Sequence, residues 1–303
     1  MKVPFSYLDR QFADVDGYLK DLKELVQTGD FTLGTPLAEF EREFAQYCCL
    51  PHAIGVASGT DALILIMKLL GIGIGDEVIT TPMTFIATVG AIAMTGATPV
   101  FVDSNNGFVI DADQIEGSIT SKTKAILPVH YTGNVADMPR ISEISEKYNL
   151  ILIEDACQAI GASIDEKPVG SWGVAAAYSL HPLKNLNVWG DGGVILTQSA
   201  EFADRLRLYR NHGLANRDYA VVFGHNSRLD TIQASVLLEK LKYTPMNNNY
   251  RRMISSYYDK KLANINKVKL TNTDPGSSRH LYVIRVKNRD KLVKYLTKKD
   301  IPV

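Results

Sequence analysis

Lys184 lies in a polar loop between two apolar segments, where its side-chain amine could react with a bound carbonyl group. The loop, residues 178–186, continues into the glycine-rich residues 190–193 and an apolar stretch at 194–196. A lysine acts as a nucleophile or a base when its surroundings lower the pKa of the amine. The alternative interpretation is a loop lysine that contacts only solvent, as most lysines do.

Asp155 is the second candidate, because it ends the apolar run 151–155, which is typical of a buried strand. A lysine together with a strand-end aspartate is what a pyridoxal phosphate enzyme needs. The amine holds the aldehyde of the cofactor, and the carboxylate keeps the pyridine nitrogen protonated. An aspartate at this place could instead cap the N-terminus of a following helix.

Residues 58–60, with the sequence Ser58-Gly59-Thr60, follow a predicted strand and open a predicted helix. The free backbone amides and the positive dipole end of a helix start attract anions, and the glycine allows a close approach. The segment therefore predicts phosphate binding. By itself it indicates little more than a capped helix start.

The composition is that of an ordinary globular protein and excludes several classes of partner. The 33 basic and 33 acidic residues balance, so there is no basic field for a nucleic acid and no polybasic patch for a membrane. No apolar run reaches the ~18 residues of a membrane helix. The three cysteines show neither a disulfide framework nor the spacing of a metal site. We expect a cytoplasmic protein without a metal.

Short apolar runs alternate with helical patterns through the first two thirds of the chain. Strands are predicted at 52–56, 77–80, 99–102, 125–129, 150–154, 175–179 and 193–197, and helices at 62–70, 85–94 and 139–148. Such strands, apolar on both faces, indicate an α/β fold with a mainly parallel sheet sandwiched by helices. Ligands bind beyond the carboxyl ends of these strands, where residues 58–60, Asp155 and Ser179 all lie.

The chain is predicted to divide into a large domain, residues 1–240, and a smaller C-terminal α+β domain, residues 241–303. A helical pattern at 228–242 precedes the division. Beyond it the sequence predicts strands at 267–270 and 280–287 and a helix at 289–299. Two strands and one helix have too little apolar face to be stable alone. We therefore expect the small domain to be incomplete and the chain to be the front part of a longer protein.

Nine short motifs, in one order, resemble those of the DegT-type family of sugar aminotransferases, which are pyridoxal phosphate enzymes of fold type I. They are GDFTLG (29–34), ASGTDAL (57–63), GDEVI (75–79), PMTF (82–85), GNVADM (133–138), EDACQA (154–159), the Lys184 loop, RNHG (210–213) and NSRLD (226–230). Each motif alone is weak, and their joint order carries the resemblance. It implies pyridoxal 5'-phosphate as the cofactor, bound in the large domain.

The resemblance also implies roles for single residues. Lys184 and Asp155 match the catalytic pair: the lysine bonded to the cofactor, which also moves a proton, and the acid at the pyridine nitrogen. Gln158, predicted one helical turn after Asp155, matches a glutamine beside the ring. The predicted cofactor-binding residues are Ser58, Gly59, Thr60, Phe85, Asp155, Gln158, Ser179, Lys184 and Asn226.

Some of these matches have competing explanations. Phe85 matches a flat side chain stacked on the cofactor ring, although packing in the core would also place a phenylalanine there. Asn226 matches an asparagine that reaches the cofactor phosphate of the neighbouring subunit, so the resemblance implies a homodimer with composite sites. His130, Tyr131 and Trp189 could line a sugar pocket or serve only in packing.

The implied reaction is the transfer of an amino group from an amino acid, by family preference L-glutamate, to a keto-sugar nucleotide in amino-sugar biosynthesis. Two alternatives stay open. Related dehydratases use the same cofactor without transamination, but they replace the cofactor-bonded lysine, commonly by histidine, whereas Lys184 is present here. A non-catalytic regulatory protein on the same fold would have no need of Lys184, Asp155 and Ser179.

Overall fold

A computed structural model describes residues 3–271 and 273–303, and its strands form one large sheet and three small ones. The strands are β1 His52–Val56, β2 Glu77–Thr80, β3 Thr98–Phe101, β4 Thr123–Ile126, β5 Ile151–Asp155, β6 Ser163–Ile164, β7 Lys167–Pro168, β8 Ala175–Ser179, β9 Gly193–Thr197, β10 Leu214–Asn216, β11 Tyr219–Ala220, β12 Val268–Leu270 and β13 Ile284–Val286. In the described part of the chain, the large sheet has seven strands in the order β1-β9-β8-β5-β4-β2-β3.

The large sheet is mainly parallel, as predicted. The pairs β2–β3, β2–β4, β4–β5 and β5–β8 are parallel, whereas β9 runs antiparallel to both of its neighbours. No helix lies between β8 and β9, so the chain returns through a loop at one edge of the sheet, which reverses the strand direction. The carboxyl ends of β1, β2, β5 and β8 therefore meet at the same edge.

Helices cover both faces of this sheet. They are α1 Leu8–Gln11, α2 Asp16–Thr28, α3 Thr35–Tyr47, α4 Gly59–Leu69, α5 Ile86–Thr95, α6 Met138–Tyr148, α7 Ala200–Tyr209, α8 Thr231–Leu241, α9 Thr244–Leu262 and α10 Arg289–Thr297. Alternate residues of β8 face two separate cores, as the two-residue period of a strand requires. Ala176 and Tyr178 pack with residues of α3, α6 and α8, while Ala175 and Ala177 pack with residues of α4, α5 and α7. The predicted α/β sandwich is thereby confirmed.

Several element predictions need correction. The helix predicted at 228–242 begins only at Thr231, and a further helix that was not predicted, α9, follows it at once. The strand predicted at 280–287 is reduced to β13, because the preceding segment bonds to the large sheet's loops instead. Ser278 donates its amide to the carbonyl of Gly133, and Leu281 donates to Thr132.

The predicted domain boundary between residues 240 and 241 falls inside the last turn of α8, which ends at Leu241. A helix turn is a poor place for a division, since its hydrogen bonds cross the boundary. We propose that the division lies at residues 242–243, between α8 and α9, with β12, β13 and α10 in the smaller part.

Candidate active site

A cavity of about 320 Å³ opens at the edge of the sheet where the parallel strands end. Its walls come from the segments that follow β1, β2, β5 and β8, and from His280 of the C-terminal part. It brings together eight of the nine predicted cofactor-binding residues, namely Ser58, Gly59, Thr60, Phe85, Asp155, Gln158, Ser179 and Lys184. Asn226 does not line it.

The N-terminus of α4 forms one wall. The Ser58 side chain caps the helix by accepting a hydrogen bond from the amide of Asp61 at 3.1 Å, while the first amides of the helix have no helical partner. A Cβ at Gly59 would lie 2.7 Å from Sγ of Cys157, and one at Gly193 would lie 2.4 Å from the carbonyl carbon of Ser58. Both positions therefore require glycine, and the helix start can receive an anion within the cavity.

Asp155 is 4% exposed at the end of β5, and two hydrogen bonds hold its carboxylate. One oxygen accepts from Oγ1 of Thr88 at 2.7 Å, and the other accepts from the amide of Cys157 at 3.2 Å. A carboxylate has about four acceptor positions, so two remain for a further donor.

The residues after Asp155 form turns, which corrects two expectations. Asp155 does not cap a helix, although its bond to Cys157 closes a local turn. Gln158 is not one helical turn away, because the chain reverses at Gly161, with φ of 73°, and enters β6. Gln158 nevertheless lines the cavity.

Lys184 is half-buried in the loop after β8, where its amide donates to the carbonyl of His181 at 2.8 Å. Among the described residues, no hydrogen bond or ion pair engages its side-chain amine. Burial lowers the pKa of Lys184, and the neighbouring Cys157 and Asp155 act in the opposite direction. A lowered pKa makes the unprotonated amine more available near neutral pH, as the position of Lys184 in the sequence predicts.

Asn185 anchors the Lys184 loop to the C-terminal part of the chain. Its side-chain amide donates to Oδ1 of Asn248 at 2.9 Å and to the carbonyl of Ser278 at 3.0 Å. Its Oδ1 lies 3.0 Å from Nδ1 of His280. Because Oδ1 of Asn185 can only accept in this arrangement, we assign the ring hydrogen of His280 to Nδ1.

His280 is a cavity residue that the sequence did not predict. Burial, together with the charges of Lys184 and Arg251, lowers the pKa of His280 to about 3, so the ring is neutral. Thr88 and Asp191 also line the cavity without having been predicted. In the sequence, the only hint of a partner such as His280 is the polar residue Asn185 next to Lys184. No local motif connects Asn185 with His280.

Phe85 precedes α5 and is 60% exposed, so packing in the core does not explain it. Ser179 ends β8 and lines the cavity beside the start of α4. Its hydroxyl accepts one long hydrogen bond, from the amide of His181 at 3.4 Å.

Asn226 is exposed, and its backbone forms a bridge with Asn211. The adjacent Ser227 connects this segment to α4 by donating its hydroxyl to Asp61 at 2.7 Å. Arg228 and Asp230 form no ion pair with each other in the part of the chain that the structure describes. Arg228 instead donates to Oδ1 of Asn211 at 3.0 Å.

The three residues considered for a sugar pocket lie elsewhere. His130 is fully buried, with Nε2 3.5 Å from the carboxylate of Glu154. Trp189 packs against the rings of Phe12 and Tyr18. His130, Tyr131 and Trp189 do not line the cavity. For His130 and Trp189, a role in packing is therefore the better interpretation.

Three further properties concern the described residues as a whole. No group of three or more side chains in residues 3–271 and 273–303 could hold a metal ion. Over the same residues, no helix is both long enough and apolar enough to cross a membrane. The cysteines are free, and burial, with a contribution from Asp155, raises the pKa of Cys157 well above its ordinary value.

Comparisons with known proteins show which family the whole chain resembles. A model of the DegT/DnrJ/EryC1/StrS aminotransferase family matches residues 14–303. The chain is 44% identical to the dTDP-3-amino-3,6-dideoxy-alpha-D-galactopyranose transaminase of Aneurinibacillus thermoaerophilus, over 94% of this chain and 80% of the relative. It is 40% identical to a pleiotropic regulatory protein of Geobacillus stearothermophilus, over 99% and 82%.

Two further matches, one to a sequence and one to a solved structure, come from Bacillus subtilis. The 3-oxo-glucose-6-phosphate:glutamate aminotransferase is 37% identical over 96% of this chain and 67% of its own length. The crystal structure of NtdA with bound cofactor PMP superimposes with a TM-score of 0.93 at 36% identity, covering 98% of this chain and 70% of that one.

The donor groups of the cavity fit pyridoxal phosphate. The phosphate requires hydrogen-bond donors, which the amides at the start of α4 and the hydroxyls of Thr60 and Ser179 provide. The aldehyde requires an unengaged amine, and the pyridine nitrogen requires a buried acceptor with free lone pairs. Lys184 and Asp155 supply these two groups in the same cavity.

Proposed function

The chain belongs to the DegT/DnrJ/EryC1/StrS aminotransferase family, and from this membership we propose that it transfers an amino group from L-glutamate to the keto group of a nucleotide-linked sugar. The protein is an aminotransferase that uses pyridoxal phosphate. The observation that carries the proposal is the cavity in which Lys184, Asp155 and residues 58–60 lie together.

The bound cofactor supplies the aldehyde that accepts an amine and the ring that withdraws electrons during proton removal. We propose that residues 58–60 and Ser179 hold its phosphate and that Asp155 keeps a proton on its ring nitrogen. Thr88 and the amide of Cys157 orient the carboxylate of Asp155 for this task. Gln158 and Phe85 also line the cavity and would contact the ring of the cofactor.

Lys184 has two tasks in this proposal. Its amine would hold the cofactor, and it would also move a proton to and from the substrate carbon. The lowered pKa supports the second task, because a base must be unprotonated at the working pH. The hydrogen bonds of the Asn185 side chain fix the backbone beside Lys184, which limits the positions that the amine of Lys184 can reach.

The names of the relatives support the choice of substrates. One acts on a dTDP-linked amino sugar, and another is named for glutamate as a substrate. One relative is named as a regulatory protein, which is consistent with the non-catalytic alternative. Lys184 and the unoccupied lone pairs of Asp155 favour catalysis, since regulation alone does not require them.

We expect the protein, mixed with L-glutamate and a panel of dTDP- and UDP-linked keto sugars, to form 2-oxoglutarate and an aminated sugar in equal amounts. Coupled assay of 2-oxoglutarate and mass spectrometry of the sugar nucleotide measure the two products. Dehydration of the sugar without 2-oxoglutarate would assign the protein to the dehydratases. Absence of both products with every acceptor would contradict the proposal.

We also propose a homodimer in which Asn226 contacts the cofactor phosphate of the partner subunit. Asn226 is exposed and outside its own cavity, so its side chain is available to a second copy. Beside it, the β10–β11 hairpin leads into Val221, Val222 and Phe223, and Phe223 is 100% exposed. An apolar patch of this kind is typical of an association surface.

Mixing two damaged variants tests the composite site. Lys184→Ala removes the amine of one subunit, and Asn226→Asp places a negative charge where the partner's phosphate would bind. A hybrid dimer would contain one site with both defects and one with neither. We expect two nearly inactive variants to regain activity after unfolding and refolding together, measured as 2-oxoglutarate formation.

The matched control replaces Asn266, an exposed asparagine remote from the cavity, by Asp and should leave activity unchanged. If Asn226 served its own subunit, each hybrid site would carry a defect and mixing would restore nothing. That result, or a monomer in sedimentation that still retains its cofactor, would contradict the composite dimer.

A cytoplasmic location completes the proposal. Cys48, Cys49 and Cys157 are all free thiols, which suits a reducing compartment.

A further inference from the structure

The Lys184 loop is closed at its base by the side chain of Asn187. Asn187 is 1% exposed, and its Nδ2 donates a hydrogen bond to the carbonyl of Pro182, two residues before Lys184. Next to this contact, the amide of Val188 donates to the carbonyl of Leu180 at 2.9 Å. Lys184 therefore projects from a short closed loop whose two ends are joined by a buried side-chain amide.

Lys240 of α8 contacts the other end of this amide. Its side-chain ammonium donates to Oδ1 of Asn187, and also to Oε1 of Gln11 at 3.4 Å. Because an ammonium can only donate, the contact directs Oδ1 of Asn187 towards α8 and leaves Nδ2 to the loop. Nδ2 also donates to Oε1 of Gln11 at 3.2 Å. Lys240 thereby sets the orientation of the amide that closes the Lys184 loop.

The ammonium of Lys240 is buried without an opposite charge beside it. Lys240 is 8% exposed, its Nζ lies 3.8 Å from the centre of the Phe12 ring, and it forms no ion pair in the described part of the chain. Burial lowers the pKa of Lys240 to about 8. Burial of a charge costs stability, and a methionine would fill the space without that cost. Packing alone therefore does not explain a lysine at this place.

A second residue of α8 holds the chain just beyond Asn187. Gln233 lies two helical turns before Lys240, on the same face of the helix. Its side chain accepts from the amide of Trp189 and donates to the carbonyl of the same residue, both at 3.1 Å. The helix itself packs in the core through Leu237. It therefore offers a rigid support for the segment that follows the Lys184 loop.

We propose that Lys240 is a positioning residue for the aminotransferase reaction, because its ammonium holds Asn187 and Asn187 closes the Lys184 loop. The inference rests on the proposed function, in which the amine of Lys184 holds the cofactor and moves a proton. Lys240 does not line the cavity. It limits the arrangements of the loop, so its loss should affect the reactivity of Lys184 more than the binding of the cofactor phosphate.

Lys240→Met is the primary variant, because methionine is of similar length and can contact the Phe12 ring but cannot donate to Asn187. Two forms of the cofactor separate positioning from binding. Pyridoxal 5'-phosphate has an aldehyde that reacts with Lys184, and pyridoxamine 5'-phosphate has none. We expect the variant to attach pyridoxal phosphate to Lys184 roughly ten- to a hundredfold more slowly, measured by timed borohydride trapping, and to bind pyridoxamine phosphate as the wild type does.

Hydrogen exchange of the cofactor-free protein tests the loop itself. The amides of Lys184 and Val188 donate within the loop at 2.8 and 2.9 Å, and they should exchange faster in Lys240→Met than in the wild type. Asn187→Ala should slow attachment and speed exchange in the same way. The double variant should be no slower in attachment than Asn187→Ala alone, since both residues act through one contact.

Lys242→Met is the matched control. Lys242 directly follows α8, but its side chain is exposed and pairs with Glu239. This variant should leave the attachment rate, pyridoxamine phosphate affinity and hydrogen exchange unchanged. Circular dichroism and thermal melting confirm that each variant is folded.

An unchanged attachment rate in Lys240→Met would overturn the inference. An equal loss of pyridoxamine phosphate affinity would also overturn it, because Lys240 would then support the whole fold and not the Lys184 loop in particular. The proposed function fails separately, if wild-type protein forms no 2-oxoglutarate from glutamate while attachment of pyridoxal phosphate to Lys184 still depends on Lys240.

Discussion

Lys184→Ala is expected to abolish transamination while leaving the fold intact. The substitution removes the amine that bonds to the cofactor and the base that moves the proton. Loss of proton transfer alone costs roughly 10²- to 10⁴-fold in rate. Lys184 makes no side-chain hydrogen bond among the described residues, so the melting temperature should not fall. Steady-state kinetics and thermal melting measure the two effects.

Lys184→Arg is the matched control for charge. It keeps a positive side chain of similar length, but a guanidinium stays protonated and cannot serve as the base. We expect the same loss of rate as with alanine. If either variant kept a tenth of the wild-type rate, Lys184 would not have the role proposed for it.

Asp155→Asn is expected to slow turnover strongly while the cofactor still binds. The amide occupies the space of the carboxylate and can keep the bond from the amide of Cys157. It can no longer stabilise a positive charge on the ring nitrogen. Loss of a charge-assisted hydrogen bond costs ~1.5–3 kcal/mol, or roughly ten- to more than a hundredfold in rate when it acts in the transition state. Turnover and cofactor titration measure the two quantities.

Asp137→Asn provides the comparison. Asp137 caps α6 by accepting from the amide of Arg140 at 3.2 Å, and asparagine caps a helix as well as aspartate does. This variant should keep its rate and stability. If the Asp155 variant kept its rate and stability as the Asp137 variant does, Asp155 would serve only to organise its local turn.

The central sheet was predictable because its strands are apolar runs with polar ends. The predicted bounds of β1, β2, β8 and β9 agree with the structure. The antiparallel direction of β9 was missed, although the lack of a helical pattern between β8 and β9 contained the information. A parallel return would have required a crossover, for which the connecting loop has no helix.

The C-terminal part was less predictable, because its structure depends on contacts with the rest of the chain. The helix α9 contains three consecutive asparagines, which have low helix propensity. Asn248 is buried there and donates to the carbonyl of Ile160 at 2.9 Å. The position of His280 likewise depends on Asn185, a residue far away in the sequence. Periodicity and local motifs do not reveal such contacts.

The most direct test of the account is the site of covalent attachment. Borohydride reduction of the cofactor-loaded protein, followed by peptide mass spectrometry, fixes the cofactor to the amine that holds it. Lys240 is the most informative competitor, because burial lowers its pKa to about 8 although it lies outside the cavity. We predict the pyridoxyl mass on the peptide that contains Lys184. Attachment to Lys240 or another lysine, or no attachment to folded protein, would contradict the assignment.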